Sequence, residues 1–424
     1  MATRPAVSRD RATELSLQAG KVFSPTAPID ERSLFAGRNE QVRKLIDAIN
    51  QKGQHAILFG ERGVGKTSLA NVLASFLSGG PVLSPRVNCD TMDTYSSVWH
   101  KVFDEIEMVH AVTATGFSPG TREKSVDLLG GDEAVSPDNV RRALTILARP
   151  SLPILILDEF DRLKQPVKRA FADTIKTLSD HAVGATVVLV GVADSVDQLI
   201  EEHQSVERAL VQVRMPRMSV DEIKEIINTG LARLEMTIDP DALERISLFS
   251  QGLPHYAHLL GLHTVRTALD DEMSSYIDIK TIDGGIRRAL QDAQQSVRSA
   301  CHKATLSTRK DNLFSDVLLS CALAPQDSLG FFAAQDVRQP MREITGKQYD
   351  IPSFAQHLNE FSEAKRGQIL QKTGARKRYR YRFTNPLVQP FVIMQGFANG
   401  KLTSTILDNL QTYAAAQSDG SFAF

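Results

Sequence analysis

Two short stretches of this sequence hold residues whose types and spacing suit phosphate chemistry. The first, Gly60-Glu61-Arg62-Gly63-Val64-Gly65-Lys66-Thr67-Ser68, has the spacing G-x-x-x-x-G-K-T. Its glycines let backbone N–H groups wrap a polyphosphate. Lys66 can reach the β- and γ-phosphates, and the Thr67 hydroxyl is a ligand for Mg²⁺. The second, Asp158-Glu159, follows four consecutive aliphatic residues, Ile154 to Leu157. There Asp158 would hold the same Mg²⁺, mostly through water, and Glu159 would polarise the attacking water. The two stretches together imply ATP bound with Mg²⁺ and hydrolysed. A third stretch asks a different question. From Arg378 to Phe383 arginine alternates strictly with aromatic residues. Eight Lys or Arg, Arg376 and Lys377 among them, lie between Lys365 and Arg382 without an acid.

The elements that must position these residues are legible from periodicity. His55 to Phe59 reads as a buried strand before the glycine-rich turn. Leu69, Val72, Leu73, Phe76 and Leu77 then recur at helical spacing. Ile154 to Leu157 reads as a strand buried on both faces, with the Asp-Glu pair at its carboxyl edge, where open α/β sheets bind ligands. "VLSPRVN" and "ATVVLVGV" supply two more strands. The expected fold is α/β, a P-loop parallel sheet flanked by helices. Asp161 reads as a helix-start acid, and the Gly-, Ser- and Pro-rich residues 108–137 as a mobile insertion.

Bulk composition narrows the classes. A chain of 424 residues implies several domains, and a formal net charge of −1 leaves polyanion binding to local clusters. The cysteines, Cys89, Cys301 and Cys321, are scattered without metal-ligand spacing, as suits a reducing compartment. The N-terminus lacks an apolar signal core, and the longest apolar runs are of strand length. A cytoplasmic protein with no membrane contact is expected.

With these residues in view, the chain resembles the AAA+ ATPases, specifically the origin-recognition/initiator clade. "LFAGRNEQVRKLIDAI" is similar to that clade's segment before the P-loop, which implies that Arg38 borders the nucleotide. "GVADS" stands at the sensor-1 position and implies Asp194 there, with Ser195 as substitute, where many members carry Asn. "SVERALVQVRMPRMS" resembles the arginine-finger region. This implies that Arg208 acts on a neighbour's ATP in a homo-oligomer, with Arg214 and Arg217 as nearby competitors.

A helical lid is expected from Ser219, with a Ser219/Glu222 capping box and Ile223, Ile226, Ile227, Leu231 and Leu234 on one face. In the next lid helix His255, after Gly252-Leu253-Pro254, replaces the usual sensor-2 arginine. That version is similar to signalling STAND ATPases. His255, His258 and His263 share a broad face, but no Cys, Asp or Glu at ligand spacing completes a zinc site.

Past residue 300 three apolar helices and a hairpin around Gly374 resemble the clade's carboxy-terminal winged helix-turn-helix. The second of those helices has Pro340 interrupting it. Phe354, Leu358 and Phe361 point inward on the third, while Gln356, His357 and Asn359 face out. In the wing, Tyr379, Tyr381 and Phe383 would pack inward and Arg378, Arg380 and Arg382 outward. A same-sign row invites an anionic partner, most simply duplex DNA. The resulting division is an extension (1–30), an AAA+ core (31–216), a lid and linker (217–300), a winged helix (301–398) and a tail (399–424). The reading is an oligomeric, DNA-engaging ATPase switch; the alternative is a STAND-like signalling ATPase whose winged helix binds a protein partner.

Overall fold

Consecutive aliphatic residues bury both faces of a strand, and a parallel sheet is the architecture that uses such strands. The computed structural model describes residues 6–25, 37–73, 76, 82–113, 128–129, 134–200, 206–308, 312–375, 378–407 and 409–410. They divide into two compact units: residues 27–217, and residues 1–26 with 218–424. Most of the expected insertion, residues 114–127 and 130–133, lies outside the described residues.

The first unit is built on a six-stranded parallel sheet. Its strands are β1 (His55–Gly60), β2 (Val82–Leu83), β3 (Arg86–Asn88), β4 (Leu152–Asp158), β5 (Thr186–Val192) and β6 (Leu210–Arg214). The spatial order is β2-β4-β5-β1-β6, with β3 also on β4. β1 is thus a switch point: the chain leaves it for the β3 side, while its other neighbour, β6, comes last. Crevices at the carboxyl ends of such strands are where doubly wound sheets hold ligands. Helices α2 (Asn39–Asn50) and α3 (Lys66–Leu73) lie against β1, β5 and β6.

The other face is covered by α4 (Tyr95–Thr113), α5 (Pro137–Leu147) and α6 (Gln165–Asp180). Trp99 stacks on Phe171 at 5.6 Å, and the Tyr95 ring meets Phe171 edge-on at 5.2 Å. Residues 108–113 continue α4 and so are helical.

The second unit contains α1 (Arg9–Val22), so the expected extension (1–30) carries a helix. It packs on the lid helix α9 (Pro254–Arg266), and Phe23 just past its end reaches α7 (Val220–Arg233), with α8 (Pro240–Ser250) between the two in sequence. The Ser219/Glu222 capping box is present and Ile223, Ile226, Ile227, Leu231 and Leu234 are buried. Phe23, fully buried, fills the space over two glycines. A Cβ on Gly230 would lie 2.3 Å from its ring, and one on Gly261 2.8 Å. Helices α10 (Ile279–Asp292) and α11 (Gln295–Thr305) complete the lid side.

The carboxy-terminal part has helices α12 (Phe314–Leu323), α13 (Arg338–Thr345), α14 (Ile351–Phe361) and α15 (Val388–Ala398). Two-residue strands β7 (Thr237–Ile238) and β8 (Tyr276–Ile277) pair in the lid. β9 (Phe332–Ala333), β10 (Leu370–Thr373) and β11 (Arg380–Phe383) form a sheet in the order β10-β11-β9. Pro340 does not interrupt its helix. It sits in the first turn of α13, where a backbone N–H has no intrahelical acceptor to lose. No helix among the described residues is long and apolar enough to cross a membrane.

The Phe23 wedge makes a sign prediction. Gly→Ala inside a helix ordinarily gains about 1 kcal/mol. At Gly230 or Gly261 it should instead destabilise, because the added methyl meets the Phe23 ring. Phe23→Ala should cost about 3–5 kcal/mol by cavity formation. Urea unfolding of the three variants measures both; a stabilised Gly261→Ala would show that the wedge does not bind α1.

Candidate nucleotide site

The cradle begins where β1 ends. The Met215 N–H donates to the Phe59 carbonyl at 2.7 Å, which draws the segment after β6 over the turn. A Cβ on Gly60 would then sit 2.4 Å from the Met215 carbonyl oxygen, so only glycine fits there. Gly63 and Gly65 adopt φ of 86° and 92°, which glycine takes without strain. Val64 is buried and pins the loop, while Arg62 is exposed. Lys66 and Thr67 open α3, and Ser68 follows in its first turn.

Lys66 is buried, and its Nζ donates to the Gly60 carbonyl at 3.0 Å and the Glu61 carbonyl at 2.7 Å. Burial pushes its ammonium down to about 8, opposed by the nearby carboxylates Asp161, Asp158 and Glu61. The Thr67 hydroxyl donates to Asp158 Oδ2 at 2.8 Å across the α3–β4 gap. The other oxygen of Asp158 accepts the Glu159 N–H at 2.8 Å. Thr67 and Asp158 are hard oxygen donors. They suit Mg²⁺, which takes one or two protein oxygens and completes its octahedron with phosphate and water. Among the described residues no cluster of His, Cys, Asp and Glu could cage a metal by itself.

Glu159 sits in the left-handed region (φ 54°), at the carboxyl edge of β4. Its carboxylate is exposed and paired with Arg162 at 2.6 Å. Asp194 lies just beyond β5, between β4 and β1, and its N–H donates to Gln198 Oε1 at 2.9 Å. Arg38 is buried with φ of 63°. Its guanidinium donates to the Val64 carbonyl at 3.2 Å and the Pro216 carbonyl at 2.6 Å. It braces the cradle against the segment after β6.

Arg208 is exposed in the 3₁₀ turn Glu207–Ala209 that precedes β6. β6 runs parallel to β1 with Leu210 opposite His55 and Arg214 opposite Phe59. Arg208 therefore lies at the amino end of the sheet, roughly 20 Å of strand from the cradle of its own chain. The competing arginines are at the other end. Arg214 pairs in register beside the cradle, and Arg217 binds the Glu61 carboxylate at 3.0 Å. His255 belongs to the second unit, where its Nδ1 lies 2.7 Å from the Pro25 carbonyl oxygen. His258 packs edge-on against Phe23 and His263 faces Asp292 at 3.3 Å, so the three histidines have separate partners.

Sequence reasoning missed two members of the site. Arg86 donates to Asp158 Oδ2 at 2.9 Å and to Asn71 Oδ1 at 2.5 Å. Its signal was a charged residue in a short strand beside the Asp-Glu strand. Asp161 is more than a helix-start acid: its Oδ1 accepts the Val192 N–H at 2.8 Å and ties the turn after β4 to the end of β5.

The hairpin places Tyr381 and Phe383 inward, and Arg378 and Arg380 are exposed. Arg376 and Lys377 lie outside the described residues. The expected row of unpartnered cations is corrected. Arg380 pairs with Asp327 at 2.8 Å, Arg382 donates to Gln371 at 2.8 Å and Lys372 lies 3.6 Å from the Tyr379 ring centroid. Arg366 pairs with Glu360, and Lys365 with Glu363. His357 is not outward either: its ring packs on Phe314 at 4.6 Å.

Lys66 yields a pH prediction. Bound phosphates favour its charged form and raise its pKa, so above about 8 binding must take up a proton. Nucleotide affinity should be flat below about pH 8 and fall above it, by up to about tenfold per pH unit. Lys66→Arg, charged throughout this range, should flatten the profile. Equilibrium binding of a fluorescent nucleotide at stepped pH checks this, and a decline that survives in Lys66→Arg assigns it to another group.

A Walker-type ATPase of Pyrococcus abyssi superposes with a TM-score of 0.54 at 16% identity, covering 88% of this chain and 99% of that one. The ORC2 protein of Aeropyrum pernix, solved as ADPNP–ADP complexes, gives 0.48 at 15% identity over 93% and 98%. Cdc6p of Pyrobaculum aerophilum gives 0.44 at 15% over 91% and 99%. The first superposition shows a shared fold, that of a Walker-type ATPase. A family model described as Novel STAND NTPase 1 matches residues 28–364, and the chain belongs to that family, nSTAND1.

Proposed function

We propose that this chain is an ATP-driven conformational switch, hydrolysing ATP with Mg²⁺ and changing how its second unit engages a partner. The observation that carries the reading is the cradle itself: Lys66 at the turn, with the Thr67 hydroxyl on the buried Asp158 carboxylate at 2.8 Å. Thr67 and Asp158 would hold Mg²⁺, which would supply positive charge to offset that of the phosphates. Lys66 binds those phosphates after leaving the Gly60 and Glu61 carbonyls. Glu159, released from Arg162, orients the attacking water and accepts its proton.

Arg208 stands too far along β6 to serve its own cradle. The geometry therefore supports a finger that reaches a neighbour's γ-phosphate in a homo-oligomer. Membership of a STAND family, with Gly252-Leu253-Pro254-His255 opening α9, favours a latch that turns over slowly and signals to a protein partner.

A second reading concerns the carboxy-terminal module, which we read as a winged helix with β10–β11 as its wing. Arg378 and Arg380 exposed over a buried Tyr381 and Phe383 favour duplex DNA phosphates. Asp327 and Gln371 already engage Arg380 and Arg382, so DNA would have to displace them.

Lys66→Ala should lose nucleotide binding, while Glu159→Gln should bind normally and turn over about 100-fold more slowly or worse. Undiminished turnover in Glu159→Gln removes the general-base assignment. Mixing Arg208→Ala with Lys66→Ala protein should restore part of the activity, because each supplies what the other lacks; no recovery at any ratio speaks against a finger in trans. For the wing, the triple Arg378/Arg380/Arg382→Ala variant should lower the log-affinity versus log-salt slope on duplex DNA by up to roughly three. Equal slopes for variant and wild type leave the wing to a protein partner.

A further inference from the structure

Asp158 is nearly inaccessible to solvent, and both of its oxygens are in use. Oδ2 accepts the Thr67 hydroxyl at 2.8 Å and the Arg86 guanidinium at 2.9 Å. The ion pair is shielded, with side-chain exposures of 29% for Arg86 and 6% for Asp158, so a neighbouring charge acts on it with little screening. Arg86 has a second seat. Its other terminal nitrogen donates to Asn71 Oδ1 at 2.5 Å. Asn71 follows Thr67 by one turn on α3, so the same helix face that carries the proposed metal-ligating hydroxyl also carries the guanidinium's second, simultaneous partner. Asn88, opposite Asp158 in the β3–β4 register, adds a longer contact at 3.4 Å.

We propose that Arg86 is a resident counter-cation of the nucleotide site that competes with the divalent metal for Asp158 and sets the metal concentration at which the site loads. The inference rests on the nucleotide-site reading above and deepens it. A divalent ion at Thr67 and Asp158 and a guanidinium on Asp158 Oδ2 are like charges a few ångströms apart, and they repel. When the metal takes the carboxylate, Arg86 gives up Oδ2, keeps its bond to Asn71 and stays within the site. There it faces the polyphosphate as a fixed positive charge, in a fork geometry suited to phosphate oxygens. The site thus carries its own cation: it holds nucleotide diphosphates or triphosphates without metal better than Thr67 and Asp158 alone would allow. Arg86 acts as a positioning residue through Asp158.

The test measures binding and does not depend on turnover. Mn²⁺ serves as the metal probe, its free concentration read by electron paramagnetic resonance in the presence of ADP. A fluorescent ADP analogue reports nucleotide affinity in excess chelator. In Arg86→Gln the half-saturating Mn²⁺ concentration should fall about tenfold, the effect of one unit charge a few ångströms away in a partly screened site. The same variant should lose about tenfold in metal-free nucleotide affinity. Arg86→Lys keeps the charge and should stay with wild type.

Asn71→Ala removes the second seat and leaves the ion pair, so the half-saturating Mn²⁺ concentration should rise. That variant keeps the proposal testable if Arg86→Gln, with Asp158 left unpaired, does not fold. Unchanged metal midpoints in Arg86→Gln, or a fall in Asn71→Ala, would overturn the proposal while leaving the nucleotide site intact. Absence of nucleotide binding by the wild-type chain under all conditions would overturn both.

Discussion

A buried carboxylate must have partners, and Asp158 draws three elements together to obtain them. Thr67 comes from α3, Arg86 from β3 and the Glu159 N–H from the turn that follows β4. Left unpaired in that position, the charge would carry a desolvation penalty of several kcal/mol. The geometry of the candidate site and the packing of the sheet edge are therefore one arrangement. The helix that opens at the glycine-rich loop is held to the strand that ends in Asp158 by residues of the proposed site.

A similar economy governs the rest of the cradle. Its loop is braced from behind by Arg38, whose guanidinium joins the Val64 and Pro216 carbonyls. Glu61 is fixed in front by Arg217. Both contacts tie the loop to the chain just after β6, which is also where Met215 closes over Gly60. Residues 215–217 thus act as a lintel for the nucleotide loop. In the second unit the comparable constraint is steric: Phe23 lies over Gly230 and Gly261 and makes α1 part of the lid.

The wing shows how tertiary context changes the meaning of a pattern. Strict Arg/aromatic alternation correctly indicated a strand over Arg380–Phe383 with Tyr381 and Phe383 inward, whereas Tyr379 precedes it and is only half-buried. It also suggested an unbalanced row of cations. The balancing acid, Asp327, lies 53 positions before Arg380 and could be brought to it only by the pairing of β9 with β11. Cation–π contacts of Arg366 with Phe314 and of Lys372 with Tyr379 engage further charges in the same way.

Local chemistry was legible because it is dictated locally. The spacing from Gly60 to Thr67, the aliphatic run before Asp158, the Ser219/Glu222 cap and the inward set Phe354, Leu358 and Phe361 follow from backbone sterics, hydrogen-bond saturation and helical or strand period. These depend on neighbours a few positions apart. Pro340 was misread because its effect depends on where its helix starts, a boundary that packing decides. Arg86 was not legible because nothing in "SPRVN" says which residue will stand opposite; the β3–β4 register sets Asn88 against Asp158 and brings the guanidinium to the carboxylate. The helical character of α1 and its place on the lid were hidden for the same reason, since a Phe23 wedge and two glycines more than 200 positions away acquire meaning only together. Sequence alone determined which groups could do chemistry and which segments would be strand or helix. Tertiary structure decided which charges would be paired, because an ion pair is fixed by distance in space and not along the chain.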